Sequence, residues 1–382
     1  MILQSKRVWV GGQFLPFQLE IEAGKIVQLL DYGTKPVDED YGDARIVPGF
    51  IDVHTHGAYG YDTNDAQPEG LRHWIRSIPE EGVTGILPTT VTQVPAVLEP
   101  AVRSVAQVVR EGYEGAEILG IHFEGPYLNM DRKGAQPPEA ILPASVEQFQ
   151  KYQEAADGLI RYITLAPEED KDLALTRYCS AHGVVASMGH SSADYDCVMR
   201  AVANGARSMT HVHNGMPPYH HREPGLVGGA LRLHDTFGEI IGDGCHTHLT
   251  VLNNFFAAKG RDFGILITDS LRAKYCPPGG EYELGGHAIE IGEDGLARLK
   301  GTDTIAGSTL RMNRGLQILV EGAMVPFDVA LNACTINPAR CLRVDDRKGK
   351  LCAGYDADIV ILDDDYTVRQ TYCRGKAMLP VQ

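Results

Sequence analysis

Short apolar runs, each closing on a polar side chain or a glycine turn, recur along these 382 residues. They occupy residues 46–53, 83–89, 117–123, 160–165, 183–188, 206–210, 238–242 and 263–268. Each is rich in Ile, Val, Leu or Phe and too short for a buried helix, the pattern of strands covered on both faces. The intervals 68–81, 96–111, 170–182 and 192–204 are long enough for a helix between one run and the next. Repeated strand-then-helix units predict a (β/α)8 TIM barrel, whose active sites form at the C-terminal ends of the strands.

Chemistry-bearing residues stand at those ends. His54 and His56 close the first run, Glu124 the third, His190 the fifth, His211 the sixth and Asp269 the eighth. Imidazole mixed with carboxylate suits Zn2+ or Fe2+ better than Mg2+ or Ca2+, which take oxygen shells. Glu124, His190 and His211 form a two-His, one-carboxylate set that leaves a position open. An ion there lowers the pKa of a coordinated water from about 15.7 toward roughly 7. His54 and His56 either hold a second ion, with Glu124 bridging and Asp269 reaching toward it, or hydrogen-bond beside a single ion. Asp269 can carry a proton from the attacking water to a leaving nitrogen, or simply cap the next segment.

Other residues are read with their plainer alternatives. His246, in Asp243-Gly244-Cys245-His246, polarises a carbonyl or is an ordinary loop histidine. His122 shares the strand face of Glu124 and reads as a supporting core residue. Arg222, in His220-His221-Arg222, offers a guanidinium fork for a phosphate or belongs to a surface cluster. Glycine-rich phosphate loops are absent, so no nucleotide cofactor is expected.

The chain exceeds a plain barrel of roughly 250 residues by about a hundred. Strand-like segments at both ends predict a discontinuous small β-sandwich domain, 1–45 plus 346–382, bracketing a catalytic barrel at 46–345. A net charge of −15 argues against non-specific nucleic-acid binding. Eight scattered cysteines without a Cys-x-x-Cys pair suggest reduced thiols, and no segment reads as a signal peptide or membrane span. A cytoplasmic enzyme is the expectation.

Pro48-Gly49-Phe50-Ile51-Asp52-Val53-His54-Thr55-His56-Gly57 and Ala353-Gly354-Tyr355-Asp356-Ala357-Asp358 resemble the opening and closing motifs of the amidohydrolase superfamily. His122-Phe123-Glu124-Gly125-Pro126-Tyr127, Gly189-His190-Ser191, Thr210-His211-Val212-His213-Asn214-Gly215-Met216, Asp243-Gly244-Cys245-His246, Thr268-Asp269-Ser270 and Ile305-Ala306-Gly307-Ser308 are similar, in order, to its N-acetylglucosamine-6-phosphate deacetylase family. The resemblance implies metal ligation by Glu124, His190 and His211 and proton transfer by Asp269. It implies one or two ions per subunit, since members that retain both histidines of the first motif, as His54 and His56 are retained here, can hold two. It implies substrate contacts from Ala135, Asn214, Gly215, Arg222, His246, Ile305, Ala306 and Gly307. It further implies a homodimer in which Arg222 reaches the neighbouring site. Asn214-Gly215 departs from the family's usual Asn-Ala, which loosens a loop whose backbone N–H would hold phosphate.

Three functions therefore compete. The first is deacetylation of N-acetylglucosamine 6-phosphate in amino-sugar catabolism. The second keeps the chemistry and changes the substrate, to N-acetylgalactosamine 6-phosphate or an N-acyl amino acid. The third is a non-catalytic metal-binding scaffold, disfavoured because Asp269 is present.

Overall fold

The first apolar run serves two sheets. In the computed structural model, which describes residues 1–277, 279–292 and 296–379, it breaks at Gly49 into Arg45–Pro48 and Phe50–Thr55. Arg45–Pro48 pairs antiparallel with Ile359–Leu362, placing Ile46 opposite Ile361, whereas Phe50–Thr55 runs parallel to Val83–Thr90. A Cβ at position 49 would lie 2.1 Å from Thr84 Oγ1, so the crossing from one sheet to the other needs glycine.

The parallel strands follow the expected order. Val83–Thr90 is flanked by Phe50–Thr55 and by Ile121–Glu124, and the ladder continues through Ile160–Leu165 and Val185–Met188 to Ser208–Met209. Met209 N–H donates to Phe237 O and Val212 N–H to Glu239 O, carrying the sheet to Gly238–Ile241, which pairs with Gly264–Ile267. Asp269 N–H then donates to His54 O at 2.9 Å, where the last strand meets the first. This curled parallel sheet fits a (β/α)8 barrel. Its strands are buried along their length, which explains their predominantly apolar character.

Helices cover the outer face. Pro95–Glu111 turns Leu98, Val102 and Val105 inward at helical spacing, with proline as its first residue, where no N–H partner is lost. Tyr195–Ala203 starts at Asp194, whose carboxylate accepts Cys197 N–H at 2.7 Å.

Both chain ends feed one continuous eight-stranded sheet, including Ile2–Val10, Gln13–Glu22, Lys25–Asp31 and Val368–Cys373. Leu3, Val8, Leu19, Ile21, Ile26, Ile359 and Ile361 form a core of their own on it. A second small antiparallel sheet follows the eighth parallel strand: Tyr282–Leu284 and His287–Ile291 form a hairpin on Gly285-Gly286, and Ala297–Leu299 joins its far side. Leu284, Ile289 and Ala297 pack there against Val91 and Leu271, over the C-terminal ends of the parallel strands.

Candidate metal centre

Four imidazoles and two carboxylates meet at that end of the sheet. His54 and His56 share one side of their strand because strand side chains alternate. His190, His211 and Asp269 each lie two residues past their strands, with φ of 47°, 29° and 48°. That left-handed backbone costs roughly 1–3 kcal/mol per residue and persists where the surroundings impose it.

Three candidate ligand atoms form a tight triangle. His211 Nε2 is 3.2 Å from Glu124 Oε1 and 3.1 Å from His190 Nε2, and His190 Nε2 is 3.3 Å from Glu124 Oε1. A tetrahedral ion with bonds of about 2.0–2.1 Å holds its ligands roughly 3.3–3.4 Å apart, so the triangle fits Zn2+ or a similar ion. A second group adjoins it. His56 Nε2 lies 3.1 Å and His54 Nε2 3.6 Å from Asp269 Oδ1, and Glu124 stands between the groups, 3.4 Å from each of these Nε2 atoms.

The remote ring nitrogens are all occupied. Nδ1 of His54 meets Glu239 Oε2 at 2.9 Å, that of His56 meets Thr89 O at 3.3 Å, that of His190 meets Arg132 O at 2.8 Å and that of His211 meets Asn214 O at 3.1 Å. Each partner is an acceptor, so each Nδ1 carries the proton and each Nε2 is free to ligate. His54 Nε2 is buried and makes no hydrogen bond among the described residues, the condition a bound ion would relieve.

Electrostatics point the same way. Burial alone would raise the pKa of Glu124, yet His54, His190 and His211 hold it well below the usual carboxylate range. Burial alone would lower His54, but Glu124, Asp269 and Glu239 push it up to about 10. Asp269 is likewise held down, against burial, by His54 and His56. These carboxylates call for positive charge among them, which a divalent ion supplies while leaving the imidazoles neutral.

His56, Glu124, His190, His211, His246 and Asp269 line a cavity of about 370 Å³ together with Ala135, Asn214, Gly215, Ile305, Ala306 and Gly307. That volume suits a small-molecule substrate. His246 is aimed by Asp243, whose Oδ2 lies 2.5 Å from its Nδ1; burial disfavours its charge, but Asp243 raises its pKa. His122 is a core residue as expected, with Nδ1 on Val53 O and Nε2 on Thr164 Oγ1. Gly215 has φ of 61°, and a Cβ there would stand 3.0 Å from His190 Nδ1. Glycine thus frees this turn of left-handed strain and spares a ligand a close contact.

Arg222 is the exception. Its side chain is exposed, with Nη1 2.7 Å from His221 Nε2, and it does not line the cavity of its own chain. Among the described lining residues there is no Lys or Arg. Sequence reasoning also passed over Gln136, whose Nε2 donates to Glu124 Oε2 at 2.6 Å, and Glu239. Glu239 carried one readable signal, an acidic residue inside an apolar run, because a buried carboxylate demands a partner.

Residues 45–378 match the amidohydrolase family. An N-acetylglucosamine-6-phosphate deacetylase of Bacillus subtilis (strain 168) is 43% identical over 87% of this chain and 84% of its own length. An N-acetylgalactosamine-6-phosphate deacetylase of Escherichia coli O157:H7 is 33% identical over 98% of each. The fold superposes with a TM-score of 0.94, at 32% identity over 100% of this chain and 99% of the other, on a mutant N-acetyl-D-glucosamine-6-phosphate deacetylase of Mycobacterium smegmatis in complex with N-acetyl-D-glucosamine-6-phosphate.

Proposed function

The chain belongs to the amidohydrolase family, and from that premise we propose that it hydrolyses N-acetylglucosamine 6-phosphate to glucosamine 6-phosphate and acetate, a step of amino-sugar catabolism. The observation that carries the reading is the Glu124, His190 and His211 triangle with Asp269 at its side, opening into one cavity. Those three residues would hold Zn2+ or Fe2+, which supplies Lewis acidity and a water of lowered pKa. Asp269 takes a proton from the attacking water and delivers it to the sugar nitrogen, so the amine leaves neutral. His246, fixed by Asp243 through Nδ1, donates from Nε2 as charge grows on the acetamide oxygen. Ala135, Asn214, Gly215 and the turn at Ile305, Ala306 and Gly307 form the walls against which the sugar phosphate rests.

A second ion would be held by His54, His56 and Asp269 together with Glu124; the buried His54 Nε2 without a hydrogen bond among the described residues supports this. The absence of Lys and Arg among the cavity's described lining residues supports a homodimer in which Arg222 of a second copy reaches the phosphate. We read the curled sheet as a complete (β/α)8 barrel over 46–345, and 1–45 with 346–382 as a terminal β-sandwich domain, which the separate core on the terminal sheet supports. Eight cysteines outside any disulfide support a reducing, cytoplasmic setting.

The Escherichia coli relative keeps a second reading open, the galacto epimer of the substrate. Assaying free amine from the gluco and galacto 6-phosphates side by side, with one metal preparation, decides between them. A higher kcat/KM on the gluco sugar is expected; preference for the galacto sugar would reassign the substrate, and turnover of neither would remove the proposal.

A further inference from the structure

Glu239 is buried in the seventh parallel strand, Gly238–Ile241, which supplies none of the six residues of the centre. Its Oε2 accepts from His54 Nδ1 at 2.9 Å and from the backbone N–H of His211 at 3.3 Å. One carboxylate oxygen thus touches a residue of each ligand group. Its Oε1 is buried and makes no hydrogen bond among the described residues, and its one ion pair among them is with His54. A buried carboxylate without a basic partner is costly. Among the described residues its ion-paired partner is the imidazole of His54.

We infer that Glu239 is the positioning residue for the second ion. It fixes the His54 tautomer with Nε2 bare, orients the ring toward Asp269 and Glu124, and makes that nitrogen a stronger donor. A carboxylate behind a ligating histidine typically changes metal affinity about 10- to 100-fold. The His54 and His56 pair becomes a working ion site through this strand-seven carboxylate, while His190 and His211 lean on the backbone carbonyls of Arg132 and Asn214. The inference rests on the two-ion reading above.

The test is a zinc titration of the purified full chain, stripped with chelator and re-equilibrated against buffered free Zn2+, with bound metal counted by elemental analysis. Co2+ absorption serves as a second probe. Wild type should take up two ions. Glu239→Gln keeps the shape and loses the charge; it should retain the tighter ion at wild-type affinity and bind the weaker one about 10- to 100-fold less well. A merely structural role would weaken both or neither. Glu239→Asp is the alternative if the amide variant does not refold: it withdraws the oxygen by about one C–C bond, roughly 1.5 Å, and should show the same selective loss. One ion in wild type would overturn the two-ion reading and the role of Glu239 with it. Two ions of undiminished affinity in the variants would overturn the role alone. Neither measurement depends on turnover, so the deacetylase reading stands or falls separately.

Discussion

Glu124→Gln is the perturbation whose consequences the geometry fixes most closely. The carboxylate faces four imidazoles: Oε1 is 3.2, 3.3 and 3.4 Å from Nε2 of His211, His190 and His54, and Oε2 is 3.4 Å from Nε2 of His56. The amide puts an N–H2 donor where two ligand groups need an anion. Protein zinc sites with four ligands bind with about 10–16 kcal/mol, so one ligand's share is roughly 3–4 kcal/mol, or about 10²- to 10³-fold in affinity. Because Glu124 stands between the groups, both ions should weaken together, whereas His190→Gln should weaken one. Equilibrium dialysis against buffered zinc with elemental analysis measures this, and far-UV circular dichroism verifies the fold. Unchanged stoichiometry and affinity in Glu124→Gln would refute ligation by Glu124. Loss of a single ion would refute its bridging position.

Asp269→Asn should keep the ion at Glu124, His190 and His211 while turnover falls about 10²- to 10⁴-fold; single-turnover acetate release checks it. Arg222→Ala should raise KM for the 6-phosphate and leave slow turnover of unphosphorylated N-acetylglucosamine and metal content unchanged, as steady-state kinetics on both sugars would reveal. Acid should unfold the chain partly through Glu117. It binds Arg347 Nη2 at 2.7 Å and Lys348 Nζ at 2.6 Å, and against burial these cations bring its pKa from 4.5 to about 2. Its depressed folded pKa means stability fully present above about pH 4.5 and lost as pH falls toward 2, on the order of 3 kcal/mol. Glu117→Gln should flatten that part of a urea-unfolding profile between pH 5 and pH 2.

Much of the centre is legible in the chain because each candidate ligand stands where an apolar strand ends, and strand ends are where the fold gathers side chains. His54, His56, Glu124, His190, His211 and Asp269 are close in space for that reason. What stayed hidden depends on packing rather than pattern. Arg222 follows the sixth strand by more than ten residues, so spacing could not say that it lies outside its own chain's cavity. Glu239 and Gln136 support the ligands from inside a strand and from a loop, with no spacing that ties them to His54 or Glu124. The break at Gly49 was masked by the continuous apolar run from Ile46 to Val53, whose two halves belong to different sheets. The antiparallel hairpin at 282–291 lay outside the predicted strands, and its role as a wall of the cavity comes from Leu284, a contact no periodicity encodes.

Metal-dependent deacetylation is tested most directly by acetate release from N-acetylglucosamine 6-phosphate by enzyme stripped of metal and then reloaded. The stripped enzyme should release none, and reloading with Zn2+ or Fe2+ should restore one acetate for each free amine. Equal release before and after stripping, or none with any divalent metal, would contradict it.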